Sequence, residues 1–162
     1  ALKYIPKKNK PFKSACLHQR ALINRSLAKI DAALSDLDEA IKIVLNGKCQ
    51  RPGVCNALET VLVDKAAAEK IVPELYKSLS ENGVTVYADE EFRKYAPAAE
   101  VLAEENLYNE YLDLRISAKV VDGVDAAIEH INFYGSHHSD CILSHNDEAV
   151  EKFLLMLFIK KH

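Results

Sequence analysis

Glycine is scarce in this chain, which has five glycines among its 162 residues. They stand well apart, at positions 47, 53, 83, 123 and 135. A dinucleotide-binding fingerprint of the form G-x-G-x-x-G and a phosphate-binding P-loop both require closely spaced glycines, because the backbone must come close to a phosphate group. The sequence therefore excludes both motifs as local features of the chain.

Cysteine is also infrequent, and the four cysteines of the chain form no recognisable pattern. Cys16, Cys49, Cys55 and Cys141 include no C-x-x-C pair, and their spacing is not that of a disulfide framework. A reducing compartment fits this usage best, so we expect a cytoplasmic protein. Such a compartment would also keep a catalytic thiol in its reduced form.

Long apolar runs are missing. The longest one, residues 153–159, is far shorter than the ~20 residues that a membrane-spanning helix needs. Nothing in the sequence resembles a signal peptide. We therefore expect a soluble protein without a membrane partner.

A standard metal-binding pattern is missing as well. His137, His138, Cys141 and His145 are residue types that bind metals, but their spacing matches no standard zinc site. The sequence therefore predicts no metal site. We expect Cys141 to belong to the core instead.

Acidic side chains are nearly absent from the first part of the chain. Residues 1–35 carry eight Lys or Arg against Asp31 alone, whereas the remainder carries thirteen basic and twenty-three acidic residues. A basic, acid-poor leader is typical of an organelle transit segment or of a nucleic-acid-binding arm. We favour neither of them: a truncation or a frame disruption is the expected origin of residues 1–35, which stand apart from a single domain over residues 36–162.

Apolar periodicity alternates between helical and extended patterns along the chain. It predicts strands over residues 60–63, 84–87, 111–121 and 141–143, and helices over residues 37–45, 65–81, 90–95, 125–134 and 147–158. Gly47 is the expected stop of the first helix. Because strands alternate with helices, the predicted fold class is α/β, a three-layer sandwich with a mostly parallel sheet.

Cys55 follows a short segment suited to presenting a nucleophile. Pro52 fixes one backbone angle, Gly53 permits conformations closed to other residues, and Arg51 places a positive charge four residues from the sulfur. A nearby cation favours the thiolate, which is the reactive form. The alternative is that Cys55 is an inert cysteine buried in the core, as lone cysteines usually are.

Three stretches of the sequence carry a resemblance to one enzyme family. Residues 36–46 lead into the run RPGVCNALET, residues 110–114 read EYLDL, and residues 121–139 read VDGVDAAIEHINFYGSHHS. Together, over about residues 36–153, they resemble gamma-glutamyl phosphate reductase, also called glutamate-5-semialdehyde dehydrogenase, of the aldehyde dehydrogenase superfamily. The resemblance implies the catalytic-domain fold of that superfamily and an enzyme of proline biosynthesis.

The resemblance implies that Cys55 is a nucleophile. Its thiolate would attack L-glutamyl 5-phosphate, expel phosphate and leave a thioester, which NADPH would reduce to L-glutamate 5-semialdehyde. Backbone N–H groups near the sulfur, with Asn56 as a weaker side-chain candidate, would stabilise the oxyanion. Arg51 would stabilise the thiolate or bind the substrate phosphate, or it is a surface residue in an ion pair.

The other two stretches are implied to bind the ligands. Ser136, His138 and Ser139 would contact the substrate, unless they only form local hydrogen bonds. Glu110 would contact the nicotinamide ribose, or it is a solvated glutamate before a strand. Leu107 and Asn109 differ from the tryptophan and threonine that are more usual in this family, so the second stretch matches imperfectly.

The resemblance also implies a homo-oligomer and a functional pairing with glutamate 5-kinase, without a nucleic-acid partner. Residues 1–35 lack the family pattern, and the sequence after residue 159 does not continue into the glycine-rich stretch expected there. We therefore interpret the chain as a catalytic-domain portion that is truncated at its C-terminus and does not turn over substrate alone. The alternative is a noncatalytic remnant, or an anion-binding interaction module, on the same scaffold.

Overall fold

The computed structural model describes residues 13–16, 20–23, 30–136 and 138–159, and side chains within residues 36–136 and 138–156. Its strands are β1 Lys13–Cys16, β2 Arg20–Ile23, β3 Thr60–Asp64, β4 Thr85–Ala88, β5 Glu100–Val101, β6 Arg115–Val121 and β7 Asp140–Ser144. Its α-helices are α1 Ile30–Cys49, α2 Lys65–Glu81, α3 Glu90–Arg93, α4 Gly123–Tyr134 and α5 Asp147–Ile159, and residues Glu104–Tyr108 form a 3₁₀ helix.

The strands form one seven-stranded sheet in the order β1-β7-β2-β3-β6-β4-β5. β1 is antiparallel to β7, and every other pair of neighbours is parallel. The prediction of an α/β fold with a mostly parallel sheet is therefore confirmed. Because β2 lies between β7 and β3, the sheet includes strands from both sides of residue 35.

Helices cover both faces of the sheet and create two apolar cores. Side chains alternate between the two faces of a strand, so Val61 and Val63 of β3 enter one core while Leu62 enters the other. The first core also contains residues of α1 and α2, and the second contains residues of α4 and α5. All five residues of β3 are buried, which explains why its three central residues are apolar without alternation.

Several element boundaries differ from the prediction. α1 continues through Gly47 to Cys49, so the expected stop at Gly47 is wrong. β6 begins at Arg115 and not at residue 111, because residues 109–114 form an irregular segment in which Leu112 has a φ angle of 50°. The short strand β5 and the 3₁₀ helix were not predicted. Among the described residues, no helix is long and apolar enough to cross a bilayer.

Candidate active site

The three sequence stretches meet at one edge of the sheet. Residues 50–59 lead into β3, residues 109–114 lead into β6, and residues 135–139 lead into β7. These strands are mutually parallel, so all three segments lie at the N-terminal edge. Since neighbouring strands are about 4.8 Å apart, the first two segments adjoin and the third lies two strands away, roughly 10 Å from β3.

Cys55 lies in the connection between α1 and β3, which we call the Cys55 loop (residues 50–59). A turn folds the loop tightly, because the Ala57 N–H donates to the Val54 carbonyl at 3.0 Å. The Leu58 N–H then donates to the Gly47 carbonyl at 2.9 Å and fastens the loop to the end of α1. Cys55 is exposed at this turn. The alternative that Cys55 is buried in the core is therefore wrong.

The neighbours of Cys55 in the loop are also accessible. Arg51 and Asn56 are both exposed. Within the described side chains Arg51 makes no ion pair, so the surface ion pair considered for it is not present there. Its guanidinium group therefore remains available to an anion in this part of the molecule.

Gly53 lies where the Cys55 loop passes residues 109–114. A β-carbon at Gly53 would lie 3.6 Å from the Leu112 carbonyl oxygen, which is ordinary contact distance. Among the described residues, the glycines with positive φ are Gly83 and Gly123. Gly53 is therefore not in a conformation reserved for glycine, contrary to the expectation from the sequence.

A buried ion pair joins the two ends of the Cys55 loop. The Nζ atom of Lys48, in the last turn of α1, lies 3.1 Å from Oε2 of Glu59, the residue before β3. Lys48 is fully buried, and only 5% of Glu59 is exposed. Burial lowers the pKa of Lys48 and raises the pKa of Glu59, and the attraction between the two charges opposes both shifts. The sequence offered no signal for this pair, because each residue alone looks like a surface charge.

The same glutamate connects the Cys55 loop to the neighbouring segment. Oε2 of Glu59 accepts a hydrogen bond from the Tyr111 N–H at 3.2 Å. The Tyr111 hydroxyl lies 2.9 Å from Oγ of Ser117, and its ring stacks on Tyr87 with centroids 5.7 Å apart. Burial raises the pKa of Tyr111. Glu110 is exposed beside this anchored tyrosine, where its carboxylate can meet a ligand.

The third segment follows the end of α4. The Gly135 N–H donates to the Ile131 carbonyl at 2.8 Å, and a β-carbon at Gly135 would lie only 2.2 Å from that oxygen, so this position requires glycine. Ser136 and His138 are exposed and Ser139 is half-buried. His137 lies outside the described residues. The structure therefore leaves the predicted substrate-side groups accessible, at the same sheet edge as Cys55.

The metal-binding alternative gains no support from the described side chains. No group of three or more His, Cys, Asp or Glu residues among them is arranged to hold a metal ion. Nε2 of His145 lies 3.0 Å from Oδ2 of Asp36. Cys141 is half-buried against the first core, as the sequence predicts.

Two surface cavities lie away from the candidate site. One, of about 330 Å³, is bordered by Asp89, Ala103 and Lys119, and the other, of about 560 Å³, is bordered by α3. The first is lined mainly by residues that follow β4 and β5, and the second by residues between these two strands. Tyr134, the residue before the third segment, also borders the first cavity, but no residue of 50–59, 109–114 or 135–139 borders either one.

Curated relatives of this chain carry one enzyme name. The chain is 47% identical over 122 residues to the gamma-glutamyl phosphate reductase of Geotalea daltonii, which covers 75% of the chain and 29% of that protein. It is 44% identical over 158 residues to the enzyme of Francisella philomiragia, which covers 93% of the chain and 37% of that protein. The chain thus spans about a third of the length of these relatives. No protein-family model matches it.

Solved structures show the same relationship. The crystal structure of gamma-glutamyl phosphate reductase from Thermotoga maritima matches 86% of the chain with a TM-score of 0.77 and 35% identity, over 32% of that protein. The structure of an indole-3-acetaldehyde dehydrogenase from P. syringae, solved with NAD+, matches 86% of this chain with a TM-score of 0.54 and 10% identity. The match covers 36% of that dehydrogenase. The second match shows the aldehyde dehydrogenase fold alone.

Proposed function

Because this chain is homologous to one segment of the gamma-glutamyl phosphate reductases, we propose that it carries the catalytic cysteine of such an enzyme. The reaction is the reduction of L-glutamyl 5-phosphate to L-glutamate 5-semialdehyde and phosphate, a step of proline biosynthesis. The observation that supports this most directly is the exposure of Cys55 on a tight loop, at the sheet edge that also holds Glu110 and residues 135–139.

Cys55 is the proposed nucleophile. Its thiolate attacks the acyl carbon, an Sγ–C bond forms, and the bond between that carbon and the phosphate oxygen breaks, so that phosphate leaves. Phosphate is a good leaving group, and the step therefore needs no histidine base beside the sulfur. When the thioester has been reduced, the Sγ–C bond breaks, the semialdehyde leaves, and Cys55 is a thiolate again.

Backbone amides next to the sulfur are the proposed oxyanion donors. The N–H groups of residues 54–56 donate no hydrogen bond to another residue of the described part, so they are available to a ligand. Backbone donors aimed at a developing oxyanion are among the strongest contributors to acyl transfer. The exposed side-chain amide of Asn56 is a further donor.

Arg51 and the third segment are proposed to bind the substrate. A guanidinium group pairs with two phosphate oxygens at once, and Arg51 lies exposed in the Cys55 loop. Ser136, His138 and Ser139 offer hydroxyl and imidazole donors to the α-carboxylate. A position roughly two strand spacings from β3 suits the far end of a substrate whose reacting carbon is at Cys55.

The proposed cofactor is NADPH. The exposed carboxylate of Glu110 fits a ribose hydroxyl, since an ionised carboxylate accepts hydrogen bonds from hydroxyl groups. The sequence contains no glycine-rich diphosphate loop, so Glu110 is the single cofactor contact that we assign to this chain. When bound, the nicotinamide supplies the hydride that reduces the thioester. We also propose a cytoplasmic homo-oligomer that works with glutamate 5-kinase.

Covalent trapping tests the proposed nucleophile. The chain is incubated with L-glutamyl 5-phosphate without NADPH, and intact mass spectrometry is expected to detect one added glutamyl group on Cys55. Cys55→Ala should form no adduct, whereas Cys141→Ala should behave like the wild type. An equal adduct in the Cys55→Ala variant would refute the assignment. Reversible binding without any adduct would favour the alternative, an anion-binding module.

A further inference from the structure

The buried ion pair between Lys48 and Glu59 has no part in the reaction as derived above. Lys48 ends α1 and Glu59 precedes β3, so the pair closes the Cys55 loop from both sides with a contact of 3.1 Å. Both side chains are nearly or fully buried. Neither is therefore placed to touch a substrate directly.

One contact extends this pair to the segment that carries Glu110, and a second extends it to β6. Oε2 of Glu59 accepts the Tyr111 N–H at 3.2 Å, and the Glu59 carbonyl accepts the Ser117 N–H at 2.9 Å. In addition, Gly53 approaches the Leu112 carbonyl closely enough that a β-carbon would contact it at 3.6 Å. Glu59 thus bonds to residues 109–114 through its carboxylate and to β6 through its backbone, and the Cys55 loop lies beside Leu112.

Stability alone is a poor explanation of this arrangement. Removing two charges from water is costly, and a buried pair is often no more stabilising than apolar side chains of similar volume. Oε1 of Glu59 is buried without a hydrogen-bond partner in the described part of the chain, which adds to that cost. A directional contact can nevertheless fix the position of two segments in a way that apolar packing does not.

We propose that Lys48 and Glu59 are positioning residues that hold the Cys55 loop and residues 109–114 in one fixed relation. The sulfur of Cys55 then lies at a constant distance from the backbone beside Glu110. The role of this pair in catalysis rests on the proposed function. The coupling between the two segments does not depend on that function and can be measured without substrate.

The decisive variant replaces both charges by apolar groups, Lys48→Met with Glu59→Leu in the full 162-residue chain. The urea midpoint should stay at or above that of the wild type, because no unpaired charge remains. Hydrogen exchange at the Tyr111 amide should become faster by about tenfold, since its acceptor is lost. Iodoacetamide alkylation of Cys55 is measured at several pH values, with Cys141 as the internal reference. The rate in the double variant should differ from the wild-type rate by about threefold or more.

The exposed ion pair of Lys152 with Asp125 provides a matched control. Lys152→Met with Asp125→Asn also removes one ion pair, but it should leave Tyr111 exchange and Cys55 alkylation unchanged. Wild-type exchange and alkylation in the apolar double variant would overturn the proposal.

The wild-type chain gives a test that survives if the double variant fails to fold. The Leu58 amide, which bonds the Cys55 loop to the Gly47 carbonyl of α1, and the Tyr111 amide should exchange with the same opening free energy and the same urea dependence. Different values would overturn the coupling. The glutamyl adduct is measured separately. If the wild-type chain forms no adduct but its two amides remain coupled, the proposed function is wrong and the coupling stands. If the double variant forms the adduct normally, the positioning role is wrong.

Discussion

Three cysteines with described side chains lie in different surroundings. Cys55 is exposed in its loop, whereas Cys49 and Cys141 are half-buried against the first core. Burial raises the pKa of the Cys49 thiol, although the neighbouring Lys48 opposes the shift. Because the thiolate is the reactive form, the raised pKa disfavours Cys49, and accessibility favours Cys55 as the site of chemical modification.

We therefore expect iodoacetamide to alkylate Cys55 at least about tenfold faster than Cys49 or Cys141 at neutral pH. Peptide mass spectrometry after timed quenching measures the rate at each cysteine. A glutamyl-phosphate analogue should slow the reaction at Cys55 alone. Equal rates at Cys55 and Cys141 would instead favour the noncatalytic alternative.

At the scale of single residues, the sequence identified the exposed groups better than the buried ones. Arg51, Glu110 and Ser136 were recognised through the stretches that contain them, and all three are exposed. Lys48 and Glu59 were missed, because they meet only after the loop between them has folded. A charge that is buried in the folded state has the same local signature in the sequence as one that remains solvated.

Among the elements, α1 shows how tertiary contacts override a helix-stop signal. Gly47 remains helical, since the stripe of α1 that contains Ala40 and Val44 is buried and Lys48 is held by Glu59. The prediction placed the helix end by the glycine alone. The loop after the helix was predicted correctly, because Pro52 restricts the residue before it.

Two glycine substitutions should have opposite effects on stability. Gly47→Ala adds a β-carbon that contacts Leu58 at an ordinary 3.6 Å, in the last turn of helix α1. We expect a gain of about 0.5–1 kcal/mol, because alanine loses less backbone entropy on folding.

Gly135→Ala is the matched control, since its β-carbon would lie 2.2 Å from the Ile131 carbonyl oxygen. That overlap should lower the free energy of unfolding by more than about 1 kcal/mol. Urea unfolding curves of both variants measure the difference. A stabilised Gly135→Ala variant would show that the end of α4 differs from the structure described.

Asp89 gives a pH dependence that belongs to helix α3. Its carboxylate caps the helix by accepting the Phe92 N–H at 2.9 Å. Burial raises the pKa of Asp89 above its ordinary value of 3.8, and the hydrogen bonds from Phe92 and Val120 oppose this shift. The folded protein therefore holds the Asp89 proton to a higher pH than the unfolded chain does.

The stability that this proton contributes is fully present below pH 3.8 and is lost as the pH rises through the raised pKa. Asp89→Asn keeps a capping oxygen but cannot ionise. The variant should therefore gain stability relative to the wild type as the pH rises from about 4 to 7. Urea unfolding at several pH values within that range measures the difference. A constant difference, or one that shrinks with pH, would contradict the assignment.

At the scale of the whole molecule, the sequence predicted the fold class but not the order of the strands. Alternating strands and helices were sufficient to predict the layered, mostly parallel sheet. The position of β2 between β7 and β3 brings together strands that are far apart in the chain, and no local pattern specifies such a pairing. The three family stretches lie at one edge because β3, β6 and β7 are parallel, and the strand order sets the distances between them.

The exposure of Cys55 also has a practical consequence for handling the protein. A surface thiol on one copy can meet its counterpart on another, and air oxidation would then join them through an intermolecular disulfide. A covalent dimer of this origin would elute at twice the mass without any genuine subunit interface. Measurements of assembly size are therefore informative only in fresh reductant, with Cys55→Ser as the reference sample.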